Sequence, residues 1–312
     1  GKGPLSLRFV DTNKGDDTCE NYRSRLVVRE IKARKKLSDR LDAAQVFSAM
    51  PPLEMLRALC SVMATLGVEC DYIIDVYDIT RAHFYGKAER DMYTELPEGD
   101  QEEGMCAHLL RSMYGTEDAS KIWQKDWTAH LAEKGYKCGV AQPACFYHAQ
   151  KDVRGLAHGD DFVIVASRSE AEAFGKMLGE RYDLKRTGRI GFGPGDDQEL
   201  TVLNRILRTV PEERRVEMEA DPRHAELAIK DLGLTSAKSV ATPRIKRKAE
   251  EVLADEETPL LISSHATQYR SACMRMAYLA QDRSDLSEAV KSLSLLHVCR
   301  CRLCSTSTVL SA

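Results

Sequence analysis

Apolar residues recur at helical spacing in two stretches of the chain. Between Pro51 and Gly67 they fall three or four positions apart, which predicts an amphipathic helix that Pro51-Pro52 begins and Gly67 ends. A longer helix is predicted over residues 119–134, ended by Gly135. Its apolar face includes Trp123 and Trp127, for which a core position is favoured over stacking on nucleic-acid bases.

Residues 156–165 form the most informative local pattern, because two adjacent acids interrupt an otherwise apolar run. The pattern predicts a strand, a tight turn at residues 158–161, and a second strand rich in aromatic and β-branched residues. Gly159 can adopt the backbone angles that such a turn requires. A bare Gly-Asp-Asp is more often an ordinary polar turn than a functional site. Two carboxylates at a buried turn, however, repel each other unless a proton or a cation such as Mg²⁺ intervenes.

A second acidic strand end could supply a further ligand. Residues 70–77 predict a strand, and Asp78 follows it directly. Together with Asp160 and Asp161 it would complete the acids of a two-metal site for phosphoryl transfer. Asp71 and Asp75 lie on the same stretch, so spacing alone leaves three candidates for this role.

Residues 22–36 carry seven cationic side chains and one acidic side chain. Arg23, Arg25 and Arg29 interleave with apolar residues, as on a strand that packs on one face and exposes guanidinium groups on the other. Such a strand could bind a triphosphate or a nucleic-acid backbone, because guanidinium groups pair well with phosphates. A solvated charged surface explains this stretch equally well.

The downstream pattern changes from strands to helices. It predicts, in order, a strand at residues 145–148, a helix opened by a Ser169–Glu172 capping box, a hairpin formed by residues 199–207 and 215–219, and mostly helices from residue 221, with a polar linker at residues 246–258. The glycines of residues 188–193 mimic a dinucleotide-binding loop. They do not lie between a strand and a helix of a βαβ unit, so that function is discounted.

Composition narrows the class of protein. The chain has 312 residues, 43% hydrophobic and 30% charged, as expected for one large or two ordinary globular domains. A net charge of −3 excludes a wholly basic nucleic-acid binder but not a local basic patch. No apolar run is long enough for a membrane span and no signal peptide is recognised, so an intracellular protein, cytoplasmic or nuclear, is expected. Its first residues suggest a fragment of a polyprotein.

The ten cysteines follow no disulfide framework, which favours reduced thiols. Three of them cluster in residues 297–304, where the spacing fits no common zinc site. A zinc knuckle is therefore less favoured than an aberrant terminus.

Several blocks, taken in order, resemble the reverse transcriptase domain of Ty1/copia-type retrotransposons. The similarity runs from about residue 22 to about residue 290. It rests on the basic strand 23–27, the segment 78–86 with 93–97, the block 112–115 followed by Ala119 and Trp123, the His158-Gly159-Asp160-Asp161 turn, and the landmarks 269–271, 278–280 and 282–285.

The resemblance implies an α+β right-hand polymerase fold, with a central antiparallel palm sheet packed on helices. It implies an N-terminal flank at residues 1–21, fingers and palm at 22–210, a thumb-like helical region at 211–298 and a Cys-rich tail at 299–312. The implied reaction is RNA-directed DNA polymerisation, the two-metal-ion addition of deoxynucleotides to a primer 3′ hydroxyl on an RNA or DNA template. Mg²⁺, or Mn²⁺ as an alternative, would be the cofactor.

The resemblance also assigns site residues. Asp78, Asp160 and Asp161 match the catalytic and metal-binding aspartates of the family. The implied nucleotide-binding residues are Arg23, Arg25, Arg29, His83, Phe84, Tyr114 and Gly115.

Three positions depart from the family pattern. His83, with Phe84 next, stands where the family carries an aromatic ring that excludes ribonucleotides. Asp118 replaces a glutamine and would place a negative charge near the substrate. His158-Gly159 replaces Tyr-Val, which changes contacts to the primer end.

Two other functions are also compatible with the sequence. A decayed or repurposed retroelement remnant would bind nucleic acid without polymerising. A different Mg²⁺-dependent phosphoryl-transfer enzyme would keep the acids but leave the other blocks unexplained.

Overall fold

The computed structural model describes residues 3–15, 18–31, 41–238 and 263–298. The chain divides into two compact units, one formed by residues 1–200 and 208–216 and the other by residues 201–207 and 217–312. The predicted linker at residues 246–258 and the Cys-rich tail at 299–312 lie outside the described residues. No helix among the described residues is long and apolar enough to span a bilayer.

Strands and helices alternate irregularly along the described chain. The strands are β1 (Leu7–Asn13), β2 (Tyr22–Val28), β3 (Tyr72–Ile79), β4 (Tyr93–Thr94), β5 (Ala107–His108), β6 (Lys137–Cys138), β7 (Cys145–His148), β8 (Val153–His158), β9 (Asp161–Ser167), β10 (Leu184–Ile190), β11 (Glu199–Val202), β12 (Arg205–Val210) and β13 (Arg215–Ala220). The helices are α1 (Ala43–Val46), α2 (Leu53–Cys70), α3 (Ala119–Glu133), α4 (Arg168–Gly179), α5 (Arg223–Asp231), α6 (Ser263–Leu279) and α7 (Ser287–Val298). Short 3-10 helices cover Ala82–Phe84, Pro211–Glu213 and Ser284–Leu286.

A six-stranded sheet organises the first unit. Its strand order is β10-β3-β9-β8-β7-β6, and every neighbouring pair is antiparallel. Strands β3 and β9 occupy the interior of the sheet because they are almost entirely apolar and their side chains are buried. The predicted α+β class, with a central antiparallel sheet packed on helices, is therefore confirmed.

The main core lies between this sheet and helices α3 and α4. Alternate residues of a strand point to one face, and Ile73, Tyr77 and Ile79 of β3 share a cluster with the same-face residues of β9. Trp127 of α3 and Phe174 of α4 complete that cluster. Helix α2 also packs against strands β3, β8 and β9.

Two predicted helix ends are wrong. Helix α2 continues past Gly67 to Cys70, and its end is marked by Asp71 in the left-handed conformation. Gly67 is needed inside the helix instead, because a Cβ there would lie 2.6 Å from the ring of Phe192. Helix α4 begins at Arg168 without a capping box, and Glu172 pairs with Arg189 at 2.7 Å rather than with the helix start.

The region after β10 departs from the predicted single hairpin. A turn at Leu203-Asn204 divides the segment 199–207, so three strands replace two. They form a small sheet in the order β11-β12-β13. The described residues after β13 form mainly helices, as predicted from residue 221. The Tyr269 hydroxyl of α6 donates to the Leu293 carbonyl of α7 at 2.8 Å.

Candidate active site

Strands β8 and β9 form the predicted hairpin, with His158 and Asp161 as its last paired residues. Gly159 and Asp160 are the two turn residues between them. Gly159 has a φ of +68°, a backbone conformation that glycine adopts without the penalty a Cβ would impose. The strand–turn–strand prediction for residues 156–165 is confirmed.

Asp78 lies directly opposite Asp161, because strands β3 and β9 pair in the register that aligns these two residues. The N–H of Ile79 donates to the carbonyl of Asp160 at 3.0 Å, which ties the turn to the end of β3. The structure therefore brings Asp78, Asp160 and Asp161 together, although about eighty residues of sequence separate the two segments.

Burial and neighbouring charge raise the pKa values of two of these acids. Burial, followed by the charges of Asp160 and Asp78, raises the pKa of Asp161 to about 6. Burial and the charge of Asp160 also raise the pKa of Asp78. The positive charges of Arg23, Lys185 and Arg25 act on the Asp78 pKa in the opposite direction.

The two competing aspartates have other partners. Asp75 is fully buried and accepts two hydrogen bonds from the guanidinium of Arg189, at 2.7 and 2.6 Å. Asp71 receives two from Arg168, at 2.8 and 2.9 Å. Among the described residues, Asp78 forms no ion pair. Of the three candidates at β3, only Asp78 keeps a carboxylate free to bind a ligand.

Aromatic rings and one arginine lie beside these acids. The guanidinium of Arg25 lies over the ring of Tyr114, with its central carbon 5.6 Å from the ring centroid. The rings of His83 and Phe84 contact the same tyrosine, at centroid distances of 4.8 and 5.6 Å. This group places the basic strand β2 next to the segment that follows Asp78.

Gly115 explains how strand β2 comes this close. A Cβ at this position would lie 2.0 Å from the carbonyl oxygen of Val28, and its φ is +92°. The N–H of Val28 also bonds to the carbonyl of Tyr114 at 2.8 Å. Because Gly115 has no side chain, its backbone can lie close to that of Val28. This close approach places the ring of Tyr114 under the guanidinium of Arg25.

Arg29 is less closely connected to this group than Arg23 and Arg25. It follows β2, and its N–H donates to the Ser6 carbonyl at 2.9 Å. The cations that act most strongly on Asp78 are Arg23, Lys185 and Arg25. The rest of the basic run, residues 32–36, lies outside the described residues.

His83 is an unusual member of the group. Burial lowers its pKa, and the negative charge of Asp160 offsets part of that shift. Its Nδ1 is buried and has no hydrogen-bond partner among the described residues. Burial also raises the pKa of Tyr114, and Asp160 adds to that shift. A neutral imidazole therefore stands beside the acids at pH 7.

The expectation that Asp118 exposes a negative charge to the substrate is wrong. Its carboxylate is buried and accepts hydrogen bonds from Arg90 at 2.7 and 2.8 Å. The same guanidinium binds the buried carboxylate of Glu30 at 2.9 and 3.0 Å. Asp118 therefore belongs to a buried structural ion-pair group.

Sequence reasoning missed Lys185. Strand β10 places it directly opposite Asp78, on the side of β3 away from Asp161. No local motif marks this lysine, because its position follows from a strand register that forms over more than one hundred residues of sequence. Asp78 thus lies between a like charge on one neighbouring strand and an opposite charge on the other.

The chemistry of the acids suits a hard divalent cation. All three offer carboxylate oxygens, and none is neutralised by an ion pair among the described residues. Burial first, and then neighbouring negative charge, raises the pKa values of both Asp78 and Asp161. Within the described ranges, no group of three or more His, Cys, Asp or Glu side chains is positioned to hold a metal ion.

Most of the chain is similar in sequence to known proteins. Residues 1–200 match the family model described as "Reverse transcriptase (RNA-dependent DNA polymerase)". The chain is 23% identical over 311 residues to the retrovirus-related Pol polyprotein from transposon TNT 1-94 of Nicotiana tabacum, covering 94% of this chain and 22% of that protein. It is 22% identical over 299 residues to the Pol polyprotein from transposon RE2 of Arabidopsis thaliana, covering 93% and 19%.

The chain thus spans about a fifth of the length of these curated relatives. Among solved structures, the foamy viral protease-reverse transcriptase in complex with double-stranded DNA is similar at a TM-score of 0.37 and 11% identity, over 94% of this chain and 39% of that chain. The match to the family model covers more than half of the chain, and the matching relatives are transposon polyproteins. The protein belongs to the reverse transcriptase family and is a domain of the Ty1/copia type, as its sequence blocks predicted.

Proposed function

We propose that this domain is an RNA-directed DNA polymerase that adds deoxynucleotides to a primer 3′ hydroxyl by two-metal-ion nucleotidyl transfer. The observation that carries the proposal is the pairing of Asp78 with Asp161 beside Asp160, with all three carboxylates free of ion pairs among the described residues. A cluster of carboxylates that form no ion pairs with the protein is the arrangement that phosphoryl-transfer enzymes use to bind metal ions.

Asp78, Asp160 and Asp161 would hold Mg²⁺, with Mn²⁺ as an alternative. When bound, the ions lower the pKa of the primer hydroxyl and stabilise the negative charge that develops on the transferred phosphate. The carboxylates themselves supply oxygen ligands from two neighbouring strands. The hydrogen bond from the Ile79 N–H to the Asp160 carbonyl keeps those strands in register where the ligands project.

The deoxynucleotide triphosphate would lie between strand β2 and the segment after Asp78. Arg23 and Arg25 bring positive charge towards the acids, which suits a triphosphate bound beside metal ions. His83, Phe84 and Tyr114 would form the wall next to the sugar, and Gly115 brings β2 close enough to close the site. Arg29 stays a candidate for contacting the triphosphate.

An RNA or DNA template with its primer would be the macromolecular partner, bound by the fingers and palm at residues 22–210. The departures at His83 and at His158-Gly159 would lie at the sugar and at the primer end, so they would change selectivity rather than remove a ligand of the metal. Asp118 does not count against activity, because its carboxylate is buried and bound by Arg90.

Primer extension on poly(rA)/oligo(dT), with Mg²⁺ and then with EDTA, tests the proposal. We expect metal-dependent incorporation of dTTP that is lost in Asp160→Asn, because the substitution removes a ligand charge at constant shape. The matched control is Asp100→Asn, the same change at an exposed turn residue. Circular dichroism and binding of labelled template–primer establish that each variant is folded.

Extension that survives Asp160→Asn would refute the site assignment. A folded wild-type protein that binds template–primer and extends nothing would refute polymerase activity. That outcome would favour the alternative function, a retroelement remnant that binds nucleic acid without polymerising.

A further inference from the structure

Trp123 makes one polar contact that its apolar surroundings do not explain. Its side chain lies in the core with 2% of its surface exposed, and its indole Nε1–H donates to the carbonyl of Gly159 at 2.8 Å. Gly159 is the first residue of the turn that carries Asp160. A helix side chain therefore bonds directly to the backbone of the acidic turn.

The turn is held from a second direction one residue later. The Asp160 carbonyl accepts the N–H of Ile79 at 3.0 Å. Because each peptide unit is planar, fixing the carbonyls of Gly159 and Asp160 fixes both peptide planes that flank the Asp160 Cα. The direction in which the Asp160 side chain leaves the backbone is then set by these two bonds.

The ring of Trp123 also contacts three segments that meet at the site. Its centroid lies 6.1 Å from that of Tyr85, 6.5 Å from that of Phe162 and 5.2 Å from that of Tyr182. Tyr85 belongs to the segment after Asp78, Phe162 follows Asp161, and Tyr182 precedes the strand that carries Lys185. The position of the indole is thus fixed by the elements that carry the acids.

The approach of helix α3 that makes this possible depends on Gly86. A Cβ at Gly86 would lie 2.3 Å from the Cγ2 of Ile122, the residue before Trp123. Any larger side chain would push the helix away from the turn. The indole therefore reaches the Gly159 carbonyl because the chain after Asp78 allows a close contact with α3.

We infer that Trp123 is a positioning residue for the polymerase site and that its Nε1–H, rather than its ring, fixes the acidic turn. The inference rests on the proposed function. Gly159 has no side chain to restrict its peptide, and no atom beyond its chain neighbours lies within 4 Å of the point where a Cβ would stand. The hydrogen bond from Trp123 supplies the restraint that the glycine lacks.

The chain offers a matched control, because it contains two tryptophans and both lie on α3. Trp127 is also 2% exposed and packs against Phe162 at 5.5 Å. Within the described residues it makes no hydrogen bond to the turn. Phe at either position keeps a ring and loses the indole, but only Trp123→Phe removes the donor to Gly159.

Single-nucleotide primer extension compares the two variants. For Trp123→Phe we expect kcat to fall about ten-fold, with the KM for dTTP little changed, because the acids are less often in the reactive geometry. The Mg²⁺ concentration for half-maximal rate should rise about ten-fold for the same reason. Trp127→Phe should leave both quantities within about two-fold of wild type while lowering the midpoint of thermal unfolding at least as much.

A second measurement is independent of activity. Amide hydrogen exchange at residues 159–162 should become faster in Trp123→Phe than in Trp127→Phe, because only the first variant frees the Gly159 carbonyl. In the ¹H–¹⁵N spectrum of Trp127→Phe, the remaining indole N–H should exchange slowly with water.

These measurements separate the inference from the proposed function. Lack of extension by the wild-type protein would refute the polymerase, and the exchange data would still judge the role of Trp123. Equal exchange at residues 159–162 in the two variants would overturn the inference. Equal losses of kcat would overturn it as well, because they would assign the effect to packing alone.

Discussion

Asp78 and Asp161 stand directly opposite each other on antiparallel strands β3 and β9, and neither forms an ion pair with any described residue. Side chains of directly opposed residues lie about 5 Å apart at their Cβ atoms, so two carboxylates here repel each other. Like charges directly opposite each other on paired strands are destabilising. The free protein must therefore be less stable than its fold would otherwise allow.

The first prediction concerns this cost. Asp161→Asn should raise the free energy of unfolding at pH 7 by about 1–2 kcal/mol. This figure converts the shift of about two pKa units into free energy and reduces it because the side chain is partly exposed. The folded pKa of about 6 exceeds the ordinary value of 3.8, so the folded state binds the proton more tightly. The penalty is absent below about pH 4, grows as the pH rises to about 6, and is constant above that.

Urea unfolding of wild type and Asp161→Asn at pH 4, 5, 6 and 7 checks this dependence. Asp100→Asn, in an exposed turn, should show no difference from wild type that changes with pH. A gain for Asp161→Asn that is the same at pH 4 and pH 7 would contradict the electrostatic origin.

The location of the acidic turn could be predicted because its signals are local. An apolar run, a glycine and two acids within ten residues determine where the strands end, and the hairpin formed there. The choice between Asp71, Asp75 and Asp78 could not be made from spacing. It depends on Arg168 and Arg189, whose partners lie 97 and 114 residues away in sequence.

The same limit explains the error at Asp118. From its local sequence, Asp118 is predicted to be an exposed charge. In the structure it forms a buried group with Arg90, which lies 28 residues earlier in the sequence, and with Glu30, which lies 88 residues earlier. Gly67 is likewise predicted to end a helix. The residue that explains this glycine is Phe192, whose ring packs against it and which lies 125 residues away in sequence. Local sequence patterns predicted the helices and strands. The roles of individual residues depend on contacts with residues that are distant in sequence.

The second prediction separates Asp75 from Asp78. Asp75→Asn should lower the free energy of unfolding by about 3 kcal/mol, because it leaves the partly buried guanidinium of Arg189 with one carboxylate instead of two. Asp78→Asn removes a repelled charge and should not destabilise the fold. It should, however, abolish primer extension.

Urea unfolding and primer extension on the same two variants provide the check. If Asp78→Asn proved the less stable of the two, or extended a primer at the wild-type rate, the assignment of the free carboxylate would be wrong.

The third prediction concerns the group formed by Arg90, Glu30 and Asp118. Arg90→Met should destabilise the protein by about 3 kcal/mol, because two carboxylates with side-chain exposures of 3% and 7% would lose their cation. The matched control is Lys125→Met, which breaks an exposed pair with Glu89 and should cost less than about 1 kcal/mol. Thermal and urea unfolding measure both, and equal losses would show that Arg90 contributes only as a surface charge does.

The fourth prediction concerns sugar selection at His83. Its imidazole packs against Tyr114 beside the acids, where the family carries a larger aromatic ring. A tyrosine side chain is longer and would extend further towards the sugar. The substitution would not change the charge at pH 7, because the lowered pKa of His83 keeps the wild-type imidazole neutral. We expect His83→Tyr to raise the preference for deoxynucleotides over ribonucleotides about ten-fold, by excluding the 2′ hydroxyl.

Single-nucleotide insertion of dTTP and UTP, compared as kcat/KM, measures this preference. Phe47→Tyr is the control, because Phe47 is 65% exposed and lies outside the group of rings around Tyr114. It should leave the ratio of the two kcat/KM values unchanged. If His83→Tyr also leaves that ratio unchanged, His83 is not the residue that senses the sugar, and the wall of the nucleotide site must be sought elsewhere.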